Sequence, residues 1–124
     1  MGQGDEILIV EDDEDIRAHL RFILERKGYR VVGVGNGEEA LAHLRDARPC
    51  VILLDLMMPV MNGWEFRDAQ RRDPALSEIP VVVLTGRGLA TGEEHALAAA
   101  AYLLKPFALS ELLKVVESFC PGAA

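Results

Sequence analysis

The chain has 124 residues, of which 50% are hydrophobic and 27% are charged, and its formal net charge is −7 at pH 7. This length predicts one domain over residues 1–124, with a strand-rich core over about 6–119. The negative charge argues against direct nucleic-acid binding, which requires clustered lysine and arginine.

The chain shows no sequence feature of a membrane or secreted protein. No apolar run approaches the length of a transmembrane helix, and residues 1–6 do not resemble a signal peptide. Cys50 and Cys120 are too far apart for a C-x-x-C site. We therefore expect a cytoplasmic protein with no membrane partner, in which both cysteines are reduced thiols.

Short apolar runs alternate along the chain with stretches of helical period, and the runs predict five strands. Their predicted ranges are residues 6–10, 30–34, 51–54, 81–84 and 102–104. Five strands that alternate with helices predict an α/β fold, in which a doubly wound parallel sheet carries helices on both faces.

Local signals mark the ends of the intervening helices. Gly28 ends the first helix, because glycine adopts the left-handed conformation easily. Asn36, Asn62 and Thr91 each precede a glutamate by three residues, which is the capping-box spacing, and they predict the starts of the next three helices. The last helix is predicted over residues 110–119.

Polar residues follow four of the predicted strands at the same, carboxyl end. Because ligands of open α/β folds bind beyond the carboxyl ends of the strands, we expect these residues to share one site. The polar residues are Glu11, Asp12 and Asp13 after the first strand, Asp55 after the third, Thr85 after the fourth and Lys105 after the fifth. Gly86 follows Thr85, and Pro106 follows Lys105.

The residue types at this edge predict phosphoryl chemistry at a metal site. Clustered carboxylates repel one another unless a proton or a cation joins them, and carboxylate oxygens suit Mg²⁺. With its charge balanced by Mg²⁺ and Lys105, the Asp55 carboxylate can attack a phosphoryl group. The Thr85 hydroxyl can then donate a hydrogen bond to a phosphoryl oxygen.

Four motifs carry a family resemblance: ILIVEDD, VILLDLMMPVMNGWEF, PVVVLTG and YLLKPF, in this order over most of the chain. They resemble a response-regulator receiver domain of two-component signalling, either a stand-alone receiver or one from a hybrid histidine kinase. The resemblance implies the flavodoxin-like receiver fold, a doubly wound five-stranded parallel sheet of strand order 2-1-3-4-5 with five helices.

The resemblance also implies a set of metal ligands. The expected Mg²⁺ ligands are Asp12, Asp55, the backbone carbonyl of Met57 and, through a water molecule, Glu11. Asp13 matches a variable position of the family and is not an expected ligand. As an alternative to any metal role, Asp12, Asp13 or Asp15 could each cap the first helix.

The phosphoryl site and the switch follow from the same resemblance. Asp55 is the expected phosphoacceptor, and Lys105 is expected to bind the phosphate. Thr85 and Tyr102 are expected to act as the switch residues. The peptide bond between Lys105 and Pro106 is expected to be cis, since cis peptide bonds occur almost only before proline.

These features predict a signalling function. By this resemblance we expect the domain to receive a phosphoryl group on Asp55 from the histidine of a histidine kinase or a phosphotransfer protein, and we expect phosphorylation to change the surface that binds an unknown downstream protein. Because it catalyses only its own phosphorylation and dephosphorylation, we do not expect an enzyme. The alternative is a phosphorylation-independent interaction module of the same fold. A flavodoxin-like cofactor binder or a haloacid-dehalogenase-type phosphatase fits the motifs less well.

The region between Thr85 and Lys105 departs from the family, because it is short and has alanines in place of a glycine and acids. The alanine run favours a fourth helix that continues toward Tyr102. The face formed by helix four, strand five and helix five has few of the charges that winged-helix transcription factors use to dimerise. We therefore expect a monomer or a weak dimer.

Overall fold

The computed structural model describes residues 6–58 and 60–121. The strands are β1 (Glu6–Val10), β2 (Arg30–Val34), β3 (Val51–Asp55), β4 (Val81–Thr85) and β5 (Ala101–Leu104). The helices are α1 (Glu14–Arg26), α2 (Gly37–His43), α3 (Gly63–Arg72), α4 (Thr91–Leu97) and α5 (Leu109–Phe119). All strand pairs are parallel, and the order is β2-β1-β3-β4-β5, which confirms the predicted fold. None of the helices over these residues is long and apolar enough to cross a membrane.

The sheet separates two apolar layers. Every residue of β3 and β4 is buried, which explains why these strands are continuous apolar runs rather than alternating patterns. Leu20 and Leu24 of α1 and Leu112 of α5 pack on one face of the sheet. Phe66 of α3 and Leu97 of α4 pack on the other.

The polar caps of the first three helices agree with the sequence. Asn36 accepts from the Glu39 backbone N–H, and Asn62 and Glu65 form a reciprocal capping box. Gly28 follows α1 with a φ of 97°, a conformation that glycine adopts without a Cβ penalty.

Both ends of α4 differ from the prediction. The N-cap is Ala90, whose N–H donates to the Glu93 carboxylate at 2.9 Å, so the predicted box of Thr91 and Glu94 is wrong by one residue. The helix also does not continue toward Tyr102. It ends at Leu97, and Ala98 adopts the left-handed conformation with φ 48° and ψ 43°. Tertiary contacts override the helix preference of alanine here, because pairing with β4 requires an extended chain from Ala101.

A disulfide joins Cys50 and Cys120, so the prediction of two reduced thiols is wrong. The Cα atoms are 5.6 Å apart, because α5 ends beside the start of β3. The Tyr29 hydroxyl donates to the Cys120 carbonyl at 2.8 Å and holds the same turn. A separation of 70 residues gives no local signal of this pairing.

Reduction of the disulfide should destabilise the domain. The bond closes a loop of about 70 residues, for which the chain-entropy relation gives about 4 kcal/mol. Urea unfolding of the oxidised and reduced protein, with thiols counted in each sample, measures this difference. The double variant Cys50→Ala, Cys120→Ala should be insensitive to the reductant. Coincident unfolding curves for fully oxidised and fully reduced protein would contradict the expectation.

Candidate functional site

Three carboxylates meet at the carboxyl edge of the sheet. Val10 pairs with Leu54, so the next residues, Glu11 and Asp55, leave neighbouring strands side by side. Ligand oxygens of Glu11, Asp12 and Asp55 all lie within 4.8 Å of one another. Glu11 is 1% exposed and Asp55 is 6% exposed, whereas Asp12 is open to solvent.

One ammonium group faces this acid cluster, which we define as Glu11, Asp12 and Asp55. The Lys105 Nζ lies 3.3 Å from Glu11 Oε1 and 3.7 Å from Asp55 Oδ1. The backbone N–H of Lys105 donates to the Thr85 carbonyl at 2.7 Å, which extends the pairing of β5 with β4. The following peptide bond to Pro106 is cis, as the resemblance implied.

Burial and mutual repulsion perturb the two buried acids. Burial and, to a smaller extent, the negative charge of Asp55 raise the pKa of Glu11 to about 7, although Lys105 opposes both effects. The pKa of Asp55 is also raised, mainly by burial, again with Lys105 opposing. One lysine therefore does not balance the cluster, which favours an additional proton or cation.

The donor set fits Mg²⁺. All three groups are hard oxygen ligands, and a divalent cation would replace the proton that the raised pKa values indicate. Asp12 and Asp55 can ligate the ion directly. The Met57 N–H lies 3.4 Å from Asp55 Oδ1, so the loop that carries the Met57 carbonyl adjoins the cluster.

Asp13 does not belong to the acid cluster. It is the N-cap of α1, where its Oδ1 accepts from the backbone N–H groups of Asp15 at 2.9 Å and Ile16 at 3.1 Å. Its own N–H lies 3.3 Å from Glu11 Oε2. The structure therefore supports the interpretation of Asp13 as a helix cap.

The two expected switch residues both make hydrogen bonds outside the acid cluster. The Thr85 hydroxyl donates to the Arg87 carbonyl at 2.9 Å and accepts from the Arg87 N–H at 3.2 Å. The Tyr102 hydroxyl donates to the Glu94 carbonyl at 2.9 Å and accepts from the Ala99 N–H at 3.0 Å. Because a hydroxyl has one proton, Thr85 must give up its donation to the Arg87 carbonyl before it can donate to another acceptor.

Sequence reasoning missed two residues that shape the site. Arg17 Nη1 donates to the Glu11 carbonyl at 2.6 Å, and its side chain covers Gly33, where a Cβ would come within 2.9 Å of Arg17 Cγ. Gly63 lies against the loop after β3, where a Cβ would approach the Asp55 carbonyl oxygen to 2.7 Å. The glycine after the Asn62 cap was a readable signal of such a close approach.

Residues 7–117 match the family described as the response regulator receiver domain. The chain belongs to this family. Over 114 residues it is 34% identical to the phosphate regulon transcriptional regulatory protein PhoB of Rhizobium meliloti, covering 90% of this chain and 50% of that protein. Over 120 residues it is 35% identical to the DNA-binding response regulator MtrA of Mycobacterium tuberculosis, covering 90% of this chain and 49% of that protein. This receiver domain thus spans about half the length of the curated relatives it matches.

Solved receiver structures superimpose closely on this one. The receiver domain of the sensor histidine kinase PA1611 from Pseudomonas aeruginosa has a TM-score of 0.85 at 30% identity, with 96% of this chain and 99% of that chain covered. That structure has a magnesium ion coordinated in its active site cleft. The chemotaxis protein CheY4 of Vibrio cholerae has a TM-score of 0.85 at 35% identity, with 94% and 98% covered.

The raised pKa of Glu11 predicts a pH dependence of stability. At pH values between 4.5 and about 7, the folded domain keeps a proton on the Glu11 carboxyl that the unfolded chain has released. The free energy of unfolding of the metal-free protein should therefore fall as the pH rises through this range. Urea unfolding at several pH values measures the slope, and Glu11→Gln should flatten it.

The control for this measurement is Glu38→Gln, at an exposed glutamate on α2. It should keep the wild-type slope. An unchanged slope in Glu11→Gln would contradict the assignment of the proton to Glu11.

Proposed function

We propose that this receiver domain accepts a phosphoryl group on Asp55, in the presence of Mg²⁺, from the phosphohistidine of a histidine kinase or a phosphotransfer protein. The observation that supports this most directly is the position of Asp55. Its buried carboxylate lies between two further acids, Glu11 and Asp12, and the ammonium group of Lys105. The acids suit a divalent cation, and the lysine suits a phosphoryl oxygen.

The proposed transfer is an in-line displacement at phosphorus. An Asp55 carboxylate oxygen forms the new P–O bond as the P–N bond to the donor imidazole breaks, and the imidazole leaves with the bonding electron pair. Mg²⁺, held by Asp12 and Asp55 and through water by Glu11, would neutralise charge on the phosphoryl oxygens. Lys105 would bind one of these oxygens, and Thr85 would donate to another after its hydroxyl turns from Arg87.

Hydrolysis of the acyl phosphate would return Asp55 to its free form. We therefore propose a signalling domain that catalyses changes only to itself, rather than an enzyme that turns over a separate substrate. Phosphorylation would shift a two-state equilibrium through Thr85 and Tyr102.

An apolar groove beside the acid cluster supports a protein as the phosphoryl donor. Its volume is about 440 Å³, and Lys105 belongs to both the groove and the cluster. Ile16 and His19 of α1 line one wall, and Pro106 and Phe107 line the other. A donor that seats an apolar side chain here would bring its histidine toward Asp55.

We propose a downstream protein partner, a cytoplasmic location and a monomer or weak dimer. On the face formed by α4, β5 and α5, the apolar side chains of Leu104 and Leu109 are exposed and suit a protein contact. A stable disulfide is uncommon in the cytoplasm. Two free thiols in protein purified from the cytoplasm would therefore agree with the proposed location, whereas a disulfide that persists in the cell would argue against it. A phosphorylation-independent module is less well supported, because the acid cluster and Lys105 are both intact.

Acetyl phosphate with Mg²⁺ should add one phosphoryl group to the chain, and intact-protein mass spectrometry measures it. Asp55→Asn should abolish the mass gain, and Asp12→Asn should slow it by about tenfold or more, because a metal ligand is lost. Asp13→Asn, which alters only the α1 cap, is the matched control and should retain the reaction. A mass gain that survives in Asp55→Asn would contradict the proposal.

The groove predicts a selective defect in protein-mediated transfer. Ile16→Ala should slow phosphorylation by a phosphohistidine phosphotransfer domain that phosphorylates the wild type, by about tenfold, while phosphorylation by acetyl phosphate stays unchanged. Phe22→Ala is the control, because Phe22 is exposed on the same helix but does not line the groove. Equal rates for Ile16→Ala and the wild type with the protein donor would contradict a donor contact at the groove.

A further inference from the structure

Arg67 of α3 is a buried cation that no carboxylate pairs with among the described residues. It is 7% exposed, although buried arginines are normally paired with acids. Its Nε donates to the Leu97 carbonyl at 2.7 Å, and its Nη2 donates to the Ala98 carbonyl at 2.6 Å. The third donor, Nη1, reaches Gln70 Oε1 at 2.7 Å. The counter-charge of Arg67 is therefore the negative end of α4.

Two further side chains hold the same end of α4. Arg71 Nη1 donates to the Ala96 carbonyl at 2.8 Å. The Tyr102 hydroxyl donates to the Glu94 carbonyl and accepts from the Ala99 N–H. The last turn of α4 is thus capped by side chains of α3 and β5, in place of the glycine that commonly ends a helix.

The short helix depends on these contacts. α4 has seven residues, a length that is unstable as an isolated helix in water. Ala98 carries a Cβ in the left-handed region, which alanine enters only at an energetic cost. The donors from Arg67 offset that cost, because they satisfy carbonyls that the end of the helix leaves without partners.

The opposite end of α3 contacts the phosphoryl site. The Gly63 N–H donates to the Leu56 carbonyl at 3.0 Å, and Gly63 lies against the Asp55 carbonyl oxygen. One helix therefore contacts Asp55 at its first residue and the end of α4 through Arg67, one turn further on.

We propose that Arg67 is a positioning residue that holds the C-terminal end of α4 and Tyr102 in the docked arrangement, and so sets the equilibrium between docked and released α4. The coupling of this equilibrium to Asp55 rests on the proposed phosphoacceptor function. Releasing α4 breaks both carbonyl contacts of Arg67 and leaves a buried cation without its counter-charge. The docked state is therefore favoured until phosphorylation at Asp55 favours the other.

Hydrogen exchange tests the positioning role in the metal-free, unphosphorylated protein. In Arg67→Met the amides of Ala98 and Ala99 should exchange faster than in the wild type by at least about tenfold. Amides of β1 and β3 should keep their wild-type rates. Arg72→Met is the matched control, because Arg72 lies on the same helix, is exposed and, among the residues that the structure describes, pairs with Asp68 alone.

Unchanged protection of Ala98 and Ala99 in Arg67→Met would overturn the positioning role. If Arg67→Met also loses protection in β1 and β3, the domain has unfolded, and Arg67→Lys decides instead. That variant keeps the positive charge but replaces the forked guanidinium that donates to the Leu97 and Ala98 carbonyls, so faster exchange at Ala98 supports the proposal and an unchanged rate overturns it.

Affinity for beryllofluoride, measured with Mg²⁺, tests the coupling. Arg67→Met should bind it about three- to tenfold more tightly, because less binding energy is spent on releasing α4. Equal or weaker affinity would overturn the coupling. If the wild type binds no beryllofluoride, the phosphoacceptor function and the coupling both fail, whereas hydrogen exchange still decides the positioning role.

Discussion

The crowding of carboxylates at the carboxyl edge of the sheet is the constraint on which the rest of the site depends. Parallel pairing of β1 with β3 places Glu11 beside Asp55, and both side chains are buried. Lys105 supplies one positive charge, which does not offset the effects of burial and of the Asp55 charge that raise the pKa of Glu11. Arg17 and Gly63 hold the two loops against this edge. The fold thus maintains an unfavourable arrangement that a cation and a phosphoryl group would relieve.

The fourth helix is held at its two ends by different means. At its start, Glu93 pairs with Arg87 at 2.7 Å, and this contact lowers the pKa of Glu93 to about 2. Arg87 also supplies both backbone partners of the Thr85 hydroxyl, so the start of α4 is tied to a switch residue. At its end, Arg67 and Tyr102 hold the last carbonyls. Each end of α4 is therefore linked to one of the two expected switch residues, the start to Thr85 through Arg87 and the end to Tyr102.

The sequence allowed prediction of the features that local rules control. Continuous apolar runs predicted the buried strands, and Asn36 and Asn62 marked helix starts because an amide cap acts within one turn. The acid cluster followed from the shared direction of parallel strands. The Cys50–Cys120 disulfide did not, because it joins elements that only the tertiary fold brings together.

The end of α4 was also set by tertiary contacts that local sequence rules do not include. Alanine favours helix locally, but the prediction that α4 continues toward Tyr102 was wrong. Pairing of β5 with β4 and hydrogen bonds from α3 to the last carbonyls of α4 end the helix earlier. Arg67 left a readable signal, because it and Gln70 lie four and seven residues after Gly63, at the spacing of a buried helix face where apolar residues are expected. Both side chains donate to backbone carbonyls, which every residue has, so the sequence does not indicate which carbonyls these are.

A crystal structure of the chain with Mg²⁺ and beryllofluoride tests the proposal that Asp55 and the surrounding acids form a phosphoryl and Mg²⁺ site. We expect the beryllium on an Asp55 carboxylate oxygen, the metal ion ligated by Asp12 and Asp55, and a fluoride within hydrogen-bond distance of Lys105 Nζ. A metal ion bound away from the acid cluster, or beryllofluoride absent from Asp55 at saturating concentration, would contradict the proposal.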